Sequence, residues 1–584
     1  MAGRGDNKNK KRTMGRNQYR KQIIDKRGQK DGEHAQKKRK LDDGEQPAPI
    51  YATHFSAEDI AEEQRRPKKK VAVMIGYSGT GYHGMQLSPK DKTIEGDLFA
   101  AFVAAGAISK ANAADPKKSS LVRCARTDRG VHAAGNVVSL KLIVEDSDIV
   151  QKINEHLNPQ IRVWGYEVVT KSFSAYQLCD SRMYEYLIPT HCFLPPHPST
   201  YLGRKLPDIA EQHGDLDNYL ARQHEVADFW KEIDEKEIKP ILANVPEEIR
   251  ALVQGALYLE DGQEAEVADE AASKAEAATA TATDEDVDPS AEAAPATDEN
   301  AAPSAEAATT TDENAAPSTT EKPQIGKRPR PAPEQREIVY ETIKQIKAAY
   351  VKAKQAYRIP EVRLQRVQDA LDQYVGTHNF HNYTIQKEST DPSAKRVIKS
   401  FKANRQPVII NGTEWVSLKV HGQSFMMHQI RKMVAMVALI VRCGADPKLI
   451  QETYGHTRIS IPKAPGLGLL LEHPIFDTYN KRAVAEFSRQ KISFDKYEKE
   501  MNEFKQREIY DRMFREELES NSFGYFFNHI DHYPGETFFY ITSGGIPASQ
   551  AKVETSSKEE EVKEEVMAKV DSDSEAEFAG EEGG

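Results

Sequence analysis

Apolar and polar positions along this chain carry a period in two separate blocks, and the stretches between and around them carry none. In the first block, Val71 to Tyr77 is a short run of β formers and predicts a strand. Thr93 suits the N-cap of a helix reaching about Ile108, with Ile94, Leu98, Phe99 and Phe102 on one apolar face. Leu121 to Ala125 and Asn136 to Leu142 predict two strands flanking a polar loop, followed by a helix over Ser147 to Leu157 and a strand over Ile161 to Val169. Arg182 to Ile188 alternates so that Tyr184 and Tyr186 share one strand face. In the second block, helical signals run from Glu334 through Tyr357 and from Val362 to Val375, with strands at Val397 to Phe401 and Glu414 to His421. Ser424 to Cys443 predicts a long helix with Met427, Ile430, Val434, Val437 and Val441 as its buried stripe. His428, Arg431 and Lys432 fall on another part of that helix surface. Asp446-Pro447 predicts a further helix start, and Ala464 to Glu472 a loop feeding a strand. The element order of 71–200 is echoed in 362–476. The expectation is an α+β protein of two related halves whose sheets fuse, with a cleft between them.

The aperiodic segments set the domain plan. It comprises a basic arm disordered by composition (1–70), a first half (71–202), a charged helical insertion (203–260), a disordered acidic insertion (261–333), a second half (334–483), an aromatic-rich helical extension (484–545) and a disordered acidic tail (546–584). The acidic insertion holds a 14-residue repeat, Ser290 to Pro303 with a near copy from Ser304 to Pro317, too polar and Pro-punctuated to bury a core. Charge is segregated accordingly: +9 over 1–70, -15 over 261–320 and -8 over 551–584, which leaves +4 for the body despite the overall -10. A mildly basic body with a basic arm is compatible with a polyanionic partner. Lys37-Lys38-Arg39-Lys40 and Arg65 to Lys70 suit a nuclear import signal and an RNA-gripping arm about equally. Four scattered cysteines indicate a reducing compartment, no apolar run approaches the ~20 residues of a membrane span, and no secretory signal is expected.

Candidate chemistry centres on Arg126-Thr127-Asp128-Arg129-Gly130-Val131-His132-Ala133, the loop between the two strands of the first block. An acid between two arginines suits a carboxylate kept ionised, because burying one without cations or donors is costly. Taken alone, Arg-x-Asp fits a surface ion pair better than a catalytic site. Ser78 to Gly84 is Gly-rich but lacks the Gly-Lys-Ser/Thr ending of a phosphate loop, so a tight turn approached by nucleic acid is the better reading. His378 and His381 lack an evident third metal ligand and read as loop packing.

Several blocks together resemble the tRNA pseudouridine synthase A family. They are Tyr77 to Gln86, the Arg126 to Ala133 loop, Arg182 to Tyr186, Gly376 to Phe380, Gly422 to Arg431 and the Ala464 to Leu471 run, in family order. The basic arm, the insertion and the extension beyond 476 are similar to the eukaryotic nuclear branch. Met85 stands where bacterial relatives usually have Trp, and is expected to lie off the chemistry; Arg129 stands where Ala or Lys is common and would add an RNA phosphate contact.

The resemblance implies the pseudouridine synthase fold and an isomerase that detaches uracil from ribose at N1, rotates it and rejoins it through C5. It implies Asp128 as the nucleophile, attacking base or sugar, and Arg126 as the residue that flips the base or fills its place. Tyr184 would stack on the base and assist proton removal at C5, and Arg431 would pair with the nucleophile. Arg129, His132, Tyr186, His428 and Lys432 are expected RNA contacts. No cofactor is needed for the isomerisation; a structural zinc known among nuclear relatives would draw on Cys179, His191, Cys192, His378 or His381, which show no standard spacing. Expected substrates are tRNA (the anticodon stem and loop, including intron-containing precursors), U2 small nuclear RNA and mRNA, in the nucleus. Monomer and homodimer both stay open. A nucleotide hydrolase fails for want of the phosphate-loop ending, an acidic scaffold explains only the aperiodic segments, and the remaining rival is a catalytically silent RNA binder on the same scaffold.

Overall fold

The computed structural model describes residues 49–247, 249–250, 253 and 333–550. The acidic repeat, the tail beyond 550 and the Lys37 to Lys40 run lie outside the described residues. Residues 49–70, assigned by composition to the arm, carry a helix, α1 (Ala57–Glu62), held by a Ser56 capping box. Lys69 and Lys70 already belong to the first strand.

Ten strands form one mixed sheet in the order β4-β1-β3-β10-β5-β9-β7-β6, with β2 added to β3 and β8 to β9. The first half supplies β1 (Lys69–Tyr77), β2 (Val122–Arg123), β3 (His132–Leu142), β4 (Ile161–Val168) and β5 (Ser181–Pro189). The second supplies β6 (Gly376–Asn379), β7 (Lys395–Ala403), β8 (Val408–Ile410), β9 (Thr413–Gly422) and β10 (Leu469–Ile475). The halves interlock rather than abut: β10 lies between β3 and β5, parallel to the former and antiparallel to the latter. β5 in turn pairs with β9 from Arg182 to Pro189. Each half therefore completes the backbone hydrogen bonding of the other.

Thr93 caps α2 (Ile94–Ala104) through a bond from the Gly96 N–H, and α3 (Ile149–Glu155) follows β3. The inserted lobe opens with α4 (Tyr201–Gln212) and returns through α5 (Pro333–Ala356), around a small core of its own that includes Ile238, Val253, Ile343 and Ile346. α6 (Glu361–Asp372) packs on β7 and on α7 (Gln429–Arg442). The stripe predicted for α7 is incomplete as a description: every residue of the helix except Lys432 is buried, His428 and Arg431 included. The helix also begins five residues later than its pattern, because His428 takes a left-handed φ of 58°.

The extension beyond 476 closes one sheet face. Tyr510 donates to Glu185 at 2.6 Å and Lys505 reaches Glu472 at 2.7 Å, satisfying carboxylates that the strands bury. Further on, α8 (Asp511–Ser520) and α9 (Ser522–His532) dock through Phe514 and Phe523 on Trp415. Asp531 of α9 pairs with both terminal nitrogens of Arg442, and both residues are buried. No helix among the described residues is long and apolar enough to cross a membrane.

Removing one partner of a buried ion pair leaves the other charge stranded. Arg442→Ala is expected to lower unfolding free energy by about 3–5 kcal/mol in urea titrations, while replacing Arg442 and Asp531 together by leucine recovers most of the loss.

Candidate active site

The Arg126–Asp128 loop is pinned before its reactive side chain is placed. Asn136 of β3 reads both backbone groups of Ala125, accepting from its N–H at 3.3 Å and donating to its carbonyl at 3.1 Å. The same amide donates to the Tyr77 hydroxyl, which lies 2.9 Å from Thr127 Oγ1. The Gly-rich turn after β1 braces the loop from the other side. A Cβ at Gly84, whose φ is +86°, would sit 2.8 Å from the Thr127 carbonyl oxygen, and one at Gly79 only 2.2 Å from that of Val131. Only glycine permits that approach.

The second half brings the partners. β3 and β10 run parallel with Leu470 opposite His132, so the Asp128 loop and the segment ahead of β10 lie at the same end of the sheet. His428, in its left-handed conformation, puts Nδ1 3.1 Å from Asp128 Oδ2. Arg431 Nε donates to the Ala464 carbonyl at 2.7 Å, which fixes the guanidinium beside the same loop. The Asp128 side chain is 24% exposed and that of His428 only 1%. Burial pushes the Asp128 carboxyl upward, but the His428 hydrogen bond and the charges of His428, Arg431 and Lys463 outweigh it, and the group sits below its ordinary value. It is an ionised carboxylate with a free approach.

Tyr184 is buried edge-on against Phe425, with centroids 5.2 Å apart. Burial raises its phenol far above the ordinary value, and the charge of Asp128 adds a smaller contribution, so a neutral hydroxyl stands near the carboxylate. Arg126 and Arg129 are exposed. Both line a cleft of about 1060 Å³ that also takes in Asp128, Arg431 and Lys463. Met85, expected off the chemistry, lines this cleft too, its N–H bound to the Thr127 carbonyl at 3.1 Å.

Other expectations need correction. His132 is fully buried; its Nδ1 accepts from the Gly79 N–H at 3.2 Å, and burial lowers its pKa to about 4, so it is a neutral brace of the turn. Tyr186 is fully buried with its hydroxyl donated to the Pro465 carbonyl at 2.6 Å, which leaves no face for a base. His428 points at Asp128 rather than outward, and Lys432 is half-buried and does not line the cleft. No three His, Cys, Asp or Glu side chains among the described residues converge as a metal site. Cys192 Sγ lies 4.0 Å from His191 Nδ1, and His378 stacks on Tyr454.

Sequence reasoning missed two contributors. Lys463 lies between Pro462 and Ala464-Pro465, where composition marks only a loop. The extension lines the cleft through Tyr525, Phe526 and His529, from a segment whose sequence showed nothing but aromatic helix.

A reachable, ionised carboxylate in a cleft that Arg126, Arg129, Arg431 and Lys463 line is an arrangement that suits an enzyme of an anionic substrate. The family described as tRNA pseudouridine synthase matches residues 370–477. The chain is 42% identical over 553 residues to tRNA pseudouridine synthase 1 of Yarrowia lipolytica, covering 93% of this chain and 88% of that protein. It is 45% identical over 517 residues to tRNA pseudouridine synthase 1 of Schizosaccharomyces pombe, covering 87% and 91% respectively. With that of Saccharomyces cerevisiae it shares 37% identity over 529 residues, covering 85% and 81%. The chain belongs to the tRNA pseudouridine synthase family, and its activity is that of an isomerase.

Because the Asp128 pKa is depressed, its ionised form persists as pH falls below the ordinary carboxylate value and is lost only on passing the depressed one. His428→Ala removes a hydrogen bond to a charged group, a contribution of ~1.5–3 kcal/mol. The acid limb of the single-turnover pH–rate profile should therefore move up by ~1–2 pH units.

Proposed function

We propose that this protein converts uridine to pseudouridine in tRNA with Asp128 as its nucleophile. The observation that carries this reading is the Asp128 carboxylate, held ionised by His428, Arg431 and Lys463 and open to a cleft of about 1060 Å³. In the reaction the C1′–N1 bond breaks, a C1′–C5 bond forms, the hydrogen on C5 leaves and N1 gains one. The covalent bond to Asp128, made at the base or at the ribose, is released in the second stage. No oxidant or reductant enters that balance.

The residues divide the work. Arg126, exposed in the cleft, enters the stack or fills the place of the extruded base, offsetting an unstacking cost of a few kcal/mol. Arg129 holds an adjacent phosphate. Arg431 stabilises the nucleophile's charge while the Ala464 carbonyl fixes its orientation. Tyr184 is buried and does not line the cleft, and a phenol held neutral by burial is a weak base, so proton removal is the less favoured of its two expected roles.

The substrates proposed beyond tRNA are U2 small nuclear RNA and mRNA, and within tRNA the anticodon stem and loop, intron-containing precursors included. Resemblance to the nuclear branch and the basic runs at Lys37 to Lys40 and Arg65 to Lys70 support a nuclear location.

Pseudouridine mapping in tRNA incubated with wild-type and variant protein tests the assignment. Asp128→Ala should bind tRNA as wild type does and lower the single-turnover rate ~10⁴-fold or more, the scale of a lost nucleophile. Arg126→Ala should lose turnover with affinity barely changed. Conversion of uridine by purified Asp128→Ala would remove the nucleophile assignment, and a wild-type protein that binds tRNA without converting it would be the silent RNA binder.

A further inference from the structure

α9 has two working faces. Phe523, Phe527 and Ile530 turn inward: Phe523 meets Tyr186 and Trp415 edge-on at centroid distances of 6.2 and 6.1 Å, and Phe527 lies under the Arg442 guanidinium at 4.6 Å. Those contacts account for how the helix is held. Tyr525, Phe526 and His529 line the cleft, with Ile530 at the boundary between the two faces and Phe526 half-buried against the core. Tyr525 is 56% exposed there, so its ring contributes little to the folded core.

The cleft is also larger than one reacting nucleoside needs. About 1060 Å³ lies at the top of the ~300–1,000 Å³ that enclose a whole drug-sized ligand. Arg126, Arg129, Arg431 and Lys463 line it together with the carboxylates of Asp91, Asp128 and Glu516, while aromatic rings line the wall contributed by α9. Cations that track a phosphate backbone, combined with aromatic faces that accept bases, form the pattern of single-stranded RNA binding. A protein partner would not call for that cation set beside the reacting carboxylate.

We propose that Tyr525 and Phe526, with His529, form a stacking platform on the cleft wall for a second unstacked base, a neighbour of the target uridine in the same strand. The proposal rests on the RNA-modifying reading above and extends it to substrate selection. Stacking is sequence-tolerant because every base has a π face, so the platform selects for a flexible neighbour rather than for a particular base. Targets next to a loop, bulge or weak pair meet that requirement at least cost.

The test uses the full chain and a tRNA anticodon stem–loop in which each nucleotide flanking the target uridine is made abasic in turn. With wild type, one abasic position should raise KM about 5- to 150-fold, the scale of one base–aromatic stack. With Tyr525→Ala, KM on the intact RNA should already be raised by that factor, and the same abasic position should cost nothing more. Single-turnover kcat should stay near wild type in that variant, and Tyr525→Phe should restore KM. An unchanged melting temperature for Tyr525→Ala, expected from its exposure, separates lost stacking from lost structure. An abasic penalty equal in wild type and in both Tyr525→Ala and Phe526→Ala, or none at any flanking position, overturns the platform. If wild type makes no pseudouridine in the intact RNA, it is the functional reading that falls.

Discussion

The contact between Asp128 and His428 joins groups 300 residues apart in the chain, one from each half. It can form only if three conditions hold together. The Asp128 loop must be clamped by Tyr77, Asn136 and the Gly79 and Gly84 turn; β10 must enter between β3 and β5; and the chain must turn through a left-handed residue before α7. A non-glycine residue in that region is unfavourable unless its surroundings compensate. Here the buried ring gains a carboxylate.

Ionisation of Asp128 is then a balance of opposing effects. Withdrawal from water favours the neutral acid, and three cationic or donor groups from the second half reverse that preference. The same logic recurs on the face closed by the extension. Burial raises Glu185, but Lys505, Ser417, Tyr510 and Lys419 more than compensate and keep it low, whereas Glu472 stays raised because Lys505 and Lys419 only partly offset burial and the neighbouring Glu185. At these sites buried charge is met by residues distant in sequence, whereas buried Glu508 is met locally by Arg507 and Arg512.

The extension beyond 476 ties these parts together. It pairs Asp531 with Arg442 at the end of α7, covers the Glu185 face of the sheet and lines part of the cleft. A segment that reads in isolation as an appended helix is thus part of both the core and the site.

Period and turn chemistry alone determined the strands from Val71 to Tyr77 and Ile161 to Val169 within a residue or two, the Thr93 cap and the placing of Asp128 on a loop between strands. These are local properties: alternation, a capping oxygen and a glycine at a positive φ act over a few residues. Tertiary structure decided which polar side chains reach the cleft. His132 and Tyr186 have the chemistry of RNA contacts but point into packing, while His428 turns inward and Lys463 arrives from a loop without a pattern. The direction of a side chain and the charge around it depend on strands and helices that meet only when β10 threads between β3 and β5, and no local window of sequence contains that crossing.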